Sequence, residues 1–218
     1  SPIQMLGNFS YLINRIFNDD SKFLEFIMQI LEFSEYAELS EAVYQFMDDT
    51  ITQIPDVLPF VFDRLLLNSL TDLENSTSRN VVIKLILMWV SIFSLDPPID
   101  NEAIQPLVEP LIQVMQTVSV SEVIDYIEWE PYTAAFNCLQ CFGSHFPDAV
   151  IPILLEYITN SSSSENPLDR EGALKCLHII FCISSPDKLE SIIPSALELL
   201  FNLLDDEVPR VRYESVCS

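Results

Sequence analysis

Apolar residues recur at helical spacing along almost the whole of this 218-residue chain. They fall in segments of about 13 to 18 residues, separated by short polar or proline-containing breaks. The chain has only 3 glycines, too few for the many tight turns of a β-sandwich or barrel. The pattern predicts an all-α fold. The predicted helices cover 2–18, 21–34, 38–52, 55–69, 78–94, 103–117, 131–146, 148–160, 167–184 and 187–203, and another begins near 207.

A regular spacing of prolines indicates that these helices form repeats. The pattern places each proline in the first turn of a helix, ahead of an apolar stretch, at intervals of 47, 46 and 42 residues. These marker prolines are Pro59, Pro106, Pro152 and Pro194. Arg170 and Arg212, early in the other helix of the pair, also lie 42 residues apart, which argues against chance spacing. A period of about 40–47 residues is typical of stacked helix pairs. The sequence thus predicts a single domain of repeats over 2–34, 38–69, 78–117, 131–160 and 167–203, with another starting at 207.

The formal charge of the chain is -23, from 33 acidic and 10 basic residues. Such a surface repels nucleic acid phosphates and anionic lipid headgroups, and it attracts basic partners. The alternative is that the acidic residues only keep a helical stack soluble. The longest uncharged apolar run, 85–95, is too short to span a bilayer. We therefore expect a basic protein partner, and neither a nucleic acid nor a membrane.

The five cysteines all lie within or beside apolar runs, which predicts reduced, buried thiols and not disulfides. Cys138, Cys141 and His145 invite a metal or redox interpretation. No second ligand pair is near them in sequence, however, and a spacing of three places both thiols on one helical face, as core residues would be. The same interpretation holds for Cys176, His178 and Cys182. We expect no metal and no cofactor.

A resemblance to a known family rests on residues 205–213, which read Asp-Asp-Glu-Val-Pro-Arg-Val-Arg-Tyr. This string resembles the HEAT-repeat consensus and, at its full length, the importin-beta (karyopherin-beta) family, closest to the importin five branch. Four further stretches run in matching order along that branch: 23–33, 42–55, 77–93 and 169–180. The resemblance implies a right-handed α-α superhelix of the HEAT/armadillo-like kind, with about five helix pairs here. The chain begins without methionine and ends inside a helical pattern, so we expect a fragment.

The resemblance also implies a function. Proteins of this family carry cargo with basic signals through nuclear pores, bind phenylalanine-glycine nucleoporins, release cargo when Ran-GTP binds, and shuttle between cytoplasm and nucleus. The second helix of each pair would line a concave surface. The segment 119–130 is shorter than the acidic insertion of that branch, which leaves a Ran-contacting role for it open. The alternative function is a HEAT scaffold of another kind, such as a phosphatase regulatory subunit or a chromosome-complex subunit.

Carboxylates on the second helices are the first candidate binding site. Position +4 from a marker proline is one turn further along the helix, between apolar positions, and we expect it to project away from the stack. Aligned carboxylates there would bind a lysine- or arginine-rich peptide through charge-assisted hydrogen bonds. The alternative is the solvated stripe that any amphipathic helix needs. The candidate residues are Asp63, Glu109 (one position before Pro110), Glu156 and Glu198.

An acidic linker around a tryptophan is the second candidate. Its residues are Glu122, Asp125, Glu128, Trp129 and Glu130, with no basic residue among them. Acidic groups around one aromatic ring could hold the stem and ammonium group of a lysine through a cation–π contact. The alternative is that Trp129 anchors a linker to the helical stack.

Phe17, Phe46 and Phe93 lie near predicted helix ends and are the third candidate. In the family, grooves between convex helices accept phenylalanine side chains of nucleoporins, although ordinary core packing explains these residues equally well. Catalysis has little support in the sequence. With two histidines, no glycine-rich phosphate loop and scattered carboxylates, no set of nucleophile, base and orienting residue appears, and we expect no enzyme activity.

Overall fold

The computed structural model of the chain describes residues 20–96, 99–116 and 131–217. Within these ranges all regular structure is helical, which confirms the predicted all-α class. The residues divide into two compact units, 1–99 (unit 1) and 100–218 (unit 2), which we describe separately. None of the helices in the described ranges is both long and apolar enough to cross a membrane.

Unit 1 consists of four described helices. Helix α2 packs against α4, and α1 packs against α3, so that neighbouring helices of the same type lie side by side. Single 3₁₀ turns at Phe33–Glu35 and Pro55–Val57 lie next to the joins. The helices are α1 (Asp20–Glu32), α2 (Ala37–Gln53), α3 (Leu58–Asn75) and α4 (Arg79–Ser94). Their ends lie close to those predicted from periodicity, except that α3 runs six residues past its predicted end at 69.

An aromatic cluster on α3 and α4 forms the middle of the unit 1 core. The buried Trp89 ring meets Phe62 edge-on, with ring centroids 6.0 Å apart, and stacks on Phe93 at 5.7 Å. Its indole Nε1 donates a hydrogen bond of 3.0 Å to Ser69 Oγ. The large ring is thus buried with its one polar atom satisfied, as a buried tryptophan requires.

Two further polar contacts connect the helices of unit 1. The Tyr44 hydroxyl on α2 donates to Asp72 Oδ2 on α3 at 2.7 Å. The buried Asn68 amide on α3 donates to the Leu31 carbonyl of α1 at 3.0 Å and to Ser34 Oγ at 2.7 Å. These bonds satisfy polar groups that would otherwise cost free energy on burial.

Unit 2 contains seven helices in the ranges that the structure describes. We call the first helix of each predicted pair first-type and the second helix second-type. The first-type helices α7, α9 and α11 pack side by side in chain order, and the second-type helices α6 and α8 pack on α7 and α9. A 3₁₀ turn at Gln105–Leu107 joins the short α5 to α6. The helices are α5 (Asn101–Ile104), α6 (Val108–Met115), α7 (Pro131–His145), α8 (Pro147–Ser161), α9 (Pro167–Ile183), α10 (Pro186–Leu204) and α11 (Pro209–Cys217).

The position of the marker prolines was predicted correctly for only two of the four. Pro59 is in the first turn of α3, and Pro106 is in the 3₁₀ turn that leads into α6. Pro152 and Pro194, in contrast, lie inside α8 and α10. The first-turn prediction is therefore wrong for those two.

The reason for this error is that other prolines start the two helices. Pro147 and Pro186 occupy the first helical position of α8 and α10, where a missing N–H costs nothing. An interior proline lacks the N–H that would bond the carbonyl four residues earlier, so it is destabilising on its own.

The cysteine prediction holds in part. Cys138 and Cys176 are fully buried, and burial raises the pKa of both thiols well above its usual range. Cys141 is half-buried. Cys182 and Cys217 are exposed, so the expectation that all five are buried is wrong. Both lie near the end of a helix, where periodicity does not show which side remains uncovered.

Candidate functional site

All four predicted carboxylates are exposed. Asp63 lies on α3 of unit 1. In unit 2, Glu109 lies on α6, Glu156 on α8 and Glu198 on α10, one on each of three second-type helices. The +4 position thus projects into solvent on α3, α8 and α10, as expected, whereas on α6 the +4 residue, Pro110, is buried and the exposed Glu109 precedes it. Binding at these positions stays a prediction.

Helix amphipathicity explains why these positions are exposed. On α3, the neighbours Val61, Phe62 and Leu65 are buried and Asp63 lies on the opposite side. On α8, Leu154 and Ile158 are buried while Glu156, midway between them, is not. A charged residue at such a position avoids the free-energy cost of desolvation.

The carboxylates on α6, α8 and α10 have few cations near them in sequence. Helices α6 and α8 contain no lysine or arginine, and α10 contains only Lys188. The ammonium group of Lys188 pairs with Asp148 at 2.8 Å, with both side chains at least half exposed. Within the described part of unit 2, these helices therefore present net negative charge to solvent.

The arginines of unit 2 are used inside the fold. Arg170 is buried and binds Asp206 through two contacts, Nε to Oδ2 at 2.7 Å and Nη2 to Oδ1 at 2.9 Å. Its Nη1 donates to the Ser164 carbonyl at 2.7 Å, and Arg212 Nη1 donates in the same way to the Asp206 carbonyl at 2.7 Å. The Arg170 guanidinium lowers the pKa of Asp206. The 42-residue arginine spacing thus marks a repeated contact between an arginine and the loop before its own helix.

A second ionic cluster, centred on the buried Glu171, connects α7, α9 and α11. Glu171 accepts from Lys175 Nζ at 2.7 Å and from Arg210 Nε at 2.6 Å. The Lys175 ammonium group lies 5.0 Å from the centre of the Tyr132 ring. Burial raises the pKa of the nearby Glu214 carboxyl. Glu171 and Lys175 are buried, so these two charges are not available to a ligand.

A polar network fixes the end of α6 to α8 and α9. Gln116 donates to the Tyr157 hydroxyl and, at 2.8 Å, to Asp169 Oδ1. Gly172 makes this close packing possible, because a Cβ there would lie 2.8 Å from the Tyr157 hydroxyl and 3.2 Å from Gln116 Cγ.

Several other candidates are not supported as sites. Phe46 and Phe93 are buried, as ordinary core packing requires. Phe17 and the acidic linker (Glu122, Asp125, Glu128, Trp129 and Glu130) lie outside the described residues. His145 Nδ1 lies 2.9 Å from the Cys141 carbonyl. Among the residues that the structure describes, no group of three or more His, Cys, Asp or Glu could hold a metal ion.

Two exposed apolar residues on α3 were missed by sequence reasoning. Phe60 and Leu67 are 66% and 55% exposed, on the same side as Asp63. The sequence treated Phe60 as part of an apolar stretch. The signal that could have identified them is their spacing, since 60, 63 and 67 lie on one side of a helix opposite the buried positions 61, 65 and 69.

No protein-family model matches the chain, and no curated protein sequence matches it. Solved structures do match. Yeast importin-beta (Kap95p) superposes with a TM-score of 0.84 at 15% identity, over 98% of this chain and 27% of that one. A Kap95:Nup1 complex gives 0.85 at 16% identity, with the same two coverages of 98% and 27%. Kap121p bound to RanGTP gives 0.72 at 17%, over 87% of this chain and 20% of that one.

The chain has the karyopherin fold. This confirms the predicted all-α HEAT-repeat class. At this level of identity the similarity establishes the fold and leaves the ligands to be tested. The chain spans about a quarter of the length of the Kap95 chain in the first structures it matches. The repeat boundaries given above stay a prediction.

Proposed function

We propose that this chain is a segment of a nuclear transport receptor of the karyopherin-beta type that binds cargo carrying basic signals. The exposed carboxylates on the second-type helices would receive the lysine or arginine side chains. Ran-GTP would release the cargo, phenylalanine-glycine nucleoporins would bind the receptor during passage through the pore, and the receptor would shuttle between cytoplasm and nucleus. The role is binding and not catalysis.

One observation carries the cargo-binding part of this proposal. Glu109, Glu156 and Glu198 are exposed on three second-type helices of unit 2. The only lysine or arginine on those helices, Lys188, already contacts Asp148. The carboxylates are thus poised to form charge-assisted hydrogen bonds with an incoming cation.

The test is peptide binding by a triple variant of the whole chain, Glu109→Gln, Glu156→Gln and Glu198→Gln. Exposed ion pairs contribute about 0.5 kcal/mol each, so losing three should weaken binding of a lysine-rich peptide about tenfold. Affinity for the unaltered chain should fall steeply as salt rises. A control variant removes three exposed carboxylates of unit 2 outside these helices: Glu102→Gln, Glu165→Gln and Glu207→Gln. An equal loss of peptide affinity in both variants would show that net charge alone explains the binding, and it would contradict the proposed site.

Binding of Ran-GTP and of phenylalanine-glycine repeats discriminates transport receptors from other HEAT scaffolds. The similar structures include a Kap95:Nup1 complex and Kap121p bound to RanGTP, which supports these partners by analogy of fold. We expect retention of at least one of them on the immobilised protein. Retention of neither would favour the phosphatase or chromosome-complex scaffold.

A further inference from the structure

The join between α1 and α2 in unit 1 carries an exposed aromatic surface that acidic residues flank in sequence. Phe33, Tyr36 and Leu39 are 45%, 59% and 43% exposed, and the centroids of the two aromatic rings lie 6.4 Å apart. Glu32 and Glu38, which directly precede Phe33 and Leu39, are also exposed. We call these five residues the α1–α2 patch. Large apolar side chains that gather outside the core point to a partner.

The other described joins from a second-type to a first-type helix lack such a surface. They lie at 76–78, 162–166 and 205–208, and they contain only polar residues apart from the half-buried Val208. Tyr36 stands directly before α2, where a serine, threonine, aspartate or asparagine would cap the helix, and its side chain makes no capping bond. Neither helix stability nor solubility therefore accounts for an exposed tyrosine at this position.

A buried polar network holds the backbone of the patch in place. Ser34 Oγ donates to the Leu31 carbonyl, and Ser40 Oγ donates to the Ser34 carbonyl, both at 2.8 Å. The Asn68 amide on α3 adds its bonds to Leu31 and Ser34. All three polar side chains of this network are buried. The aromatic residues are thus presented on a fixed backbone, and binding does not have to supply the free energy of ordering it.

We infer that the α1–α2 patch binds an arginine side chain of a partner protein. The guanidinium group would lie over the Phe33 and Tyr36 rings and pair with Glu32 or Glu38. The inference goes beyond the proposed function, because the patch surrounds a join in unit 1 and does not include the unit 2 helices that we assign to cargo binding.

Charge complementarity selects a cation. Glu32 and Glu38 make no ion pair with any residue that the structure describes. The sequence contains no lysine or arginine from position 23 to position 63, so no cation is near them along the chain. A purely apolar ligand would cover the carboxylates without giving them a hydrogen-bond donor, which costs free energy. The occupant therefore carries positive charge.

Of the two strongly basic side chains, arginine fits the patch better. Its planar guanidinium group stacks on aromatic faces and can donate two parallel hydrogen bonds to one carboxylate. Its aliphatic stem can lie along an apolar side chain such as Leu39. The lysine ammonium group is a compact and strongly hydrated charge, which gains less from an aromatic surface. One arginine side chain thus satisfies both the apolar and the acidic residues of the patch.

The experiment titrates the whole chain with three peptides of equal length. They are a glycine-serine chain with two arginines, the same chain with two lysines, and a phenylalanine-glycine repeat. Fluorescence anisotropy of the labelled peptides gives their affinities, and NMR shifts of labelled tyrosine rings report the contact, with Tyr36→Leu assigning the Tyr36 signal. The patch variant, Phe33→Leu with Tyr36→Leu, keeps apolar side chains and removes both rings. The control is Tyr213→Leu, which removes an exposed tyrosine of unit 2. Circular dichroism checks that each variant remains folded.

The arginine peptide should shift the Tyr36 ring signal and bind about fivefold tighter than the lysine peptide. The patch variant should lose most of this preference for arginine, and the control variant should keep it. A weaker affinity of the arginine peptide for Glu32→Gln with Glu38→Gln would confirm the part played by the carboxylates.

Three results would overturn the inference. The first is an arginine peptide that leaves the Tyr36 signal unmoved or does not bind, and the second is a lysine peptide that moves the signal with equal affinity. The third is a phenylalanine-glycine peptide that moves it in place of the arginine peptide, because the occupant would then be apolar. The proposed function is decided separately, since it depends on the loss of lysine-peptide binding in the triple glutamine variant of unit 2.

Discussion

The two units stabilise their helix packing with different polar contacts. In the described part of unit 1, α2 is joined to α3 by the Tyr44–Asp72 hydrogen bond and α4 to α3 by the Trp89–Ser69 hydrogen bond, neither of which is an ion pair. In unit 2, buried charges are paired, as in the Arg170–Asp206 contact and the Glu171–Lys175 pair. The same repeat architecture therefore tolerates either solution at the contacts between its helices.

This comparison teaches that burial decides how much each contact matters. A buried ion pair adds little over an apolar pair, but removal of one partner leaves the other charge buried and is strongly destabilising. A buried neutral hydrogen bond costs less to lose, and an exposed ion pair costs least. We therefore expect unit 2 to be more sensitive than unit 1 to a single polar substitution.

The largest effect is expected for Asp206→Ala in unit 2. The substitution leaves the buried Arg170 guanidinium without its carboxylate, and the free energy of unfolding should fall by about 3 kcal/mol. Because Arg170 lowers the pKa of Asp206, the stabilisation is present above the unfolded pKa of about 4 and is lost as pH falls through the folded value. The difference in free energy of unfolding between the unaltered chain and the variant should therefore stay constant from pH 7 to about 5 and decrease below about pH 4.

Urea unfolding at several pH values, with hydrogen exchange on α9 and α11, measures this effect. Glu207→Ala is the matched control, since Glu207 is the next residue in the same loop and is exposed. An equal loss in the two variants would show that the ion pair is not what stabilises this contact.

A smaller effect is expected for Tyr44→Phe in unit 1. The lost hydrogen bond to Asp72 should lower the free energy of unfolding by about 1 kcal/mol. Burial raises the pKa of Asp72, and the Tyr44 hydroxyl opposes that rise. In the variant the pKa of Asp72 should rise further, so the ionised carboxylate costs more stability at neutral pH. That extra cost disappears as pH falls toward the unfolded pKa of about 4.

The two variants, one in each unit, should differ in the pH range over which their loss of stability decreases. The Tyr44→Phe deficit should already shrink above about pH 4, where the Asp206→Ala deficit is still complete. Tyr36→Phe, at an exposed tyrosine of unit 1, is the control in the same unfolding assay. A pH-independent deficit for Tyr44→Phe would mean that Asp72 does not titrate as proposed.

The smallest effect is expected for Lys188→Ala. The Lys188–Asp148 pair joins α10 to α8 at 2.8 Å, within 0.1 Å of the buried pairs at 2.7 Å, but both side chains are at least half exposed. Its loss should change the free energy of unfolding by no more than about 0.5 kcal/mol. A loss above about 1 kcal/mol in urea unfolding would refute the claim that burial, and not distance, sets the value of these contacts.

Periodicity predicted the helices well because most of them bury one face, although α9 is buried on all sides over residues 170–177. The observed helices α2, α4, α7 and α9 begin and end within one residue of their predicted bounds. The marker prolines show the limit of such reasoning. A proline after an apolar residue resembles a helix start, and only the complete helix shows that Pro152 and Pro194 lie inside one.

The candidate site was predictable to the same extent. The +4 rule found three carboxylates that are indeed exposed, Asp63, Glu156 and Glu198, because exposure follows from helical phase. On α6 the rule falls on the buried Pro110, and the exposed carboxylate is the preceding Glu109. It missed Phe60 and Leu67, since an apolar residue is by default assigned to the core. Which apolar residue remains uncovered depends on how far neighbouring helices reach, and that is a tertiary property.

The sequence by itself determined the helices and the acidic character of the second-type helices, because these depend on residue types at short, fixed spacings. Only the tertiary structure decided that Arg170 binds Asp206, 36 residues away, and that Glu171 and Lys175 are buried together. The sequence does not show which residue a charged side chain will pair with. Its burial becomes favourable only when a neighbouring helix brings the opposite charge within hydrogen-bond distance.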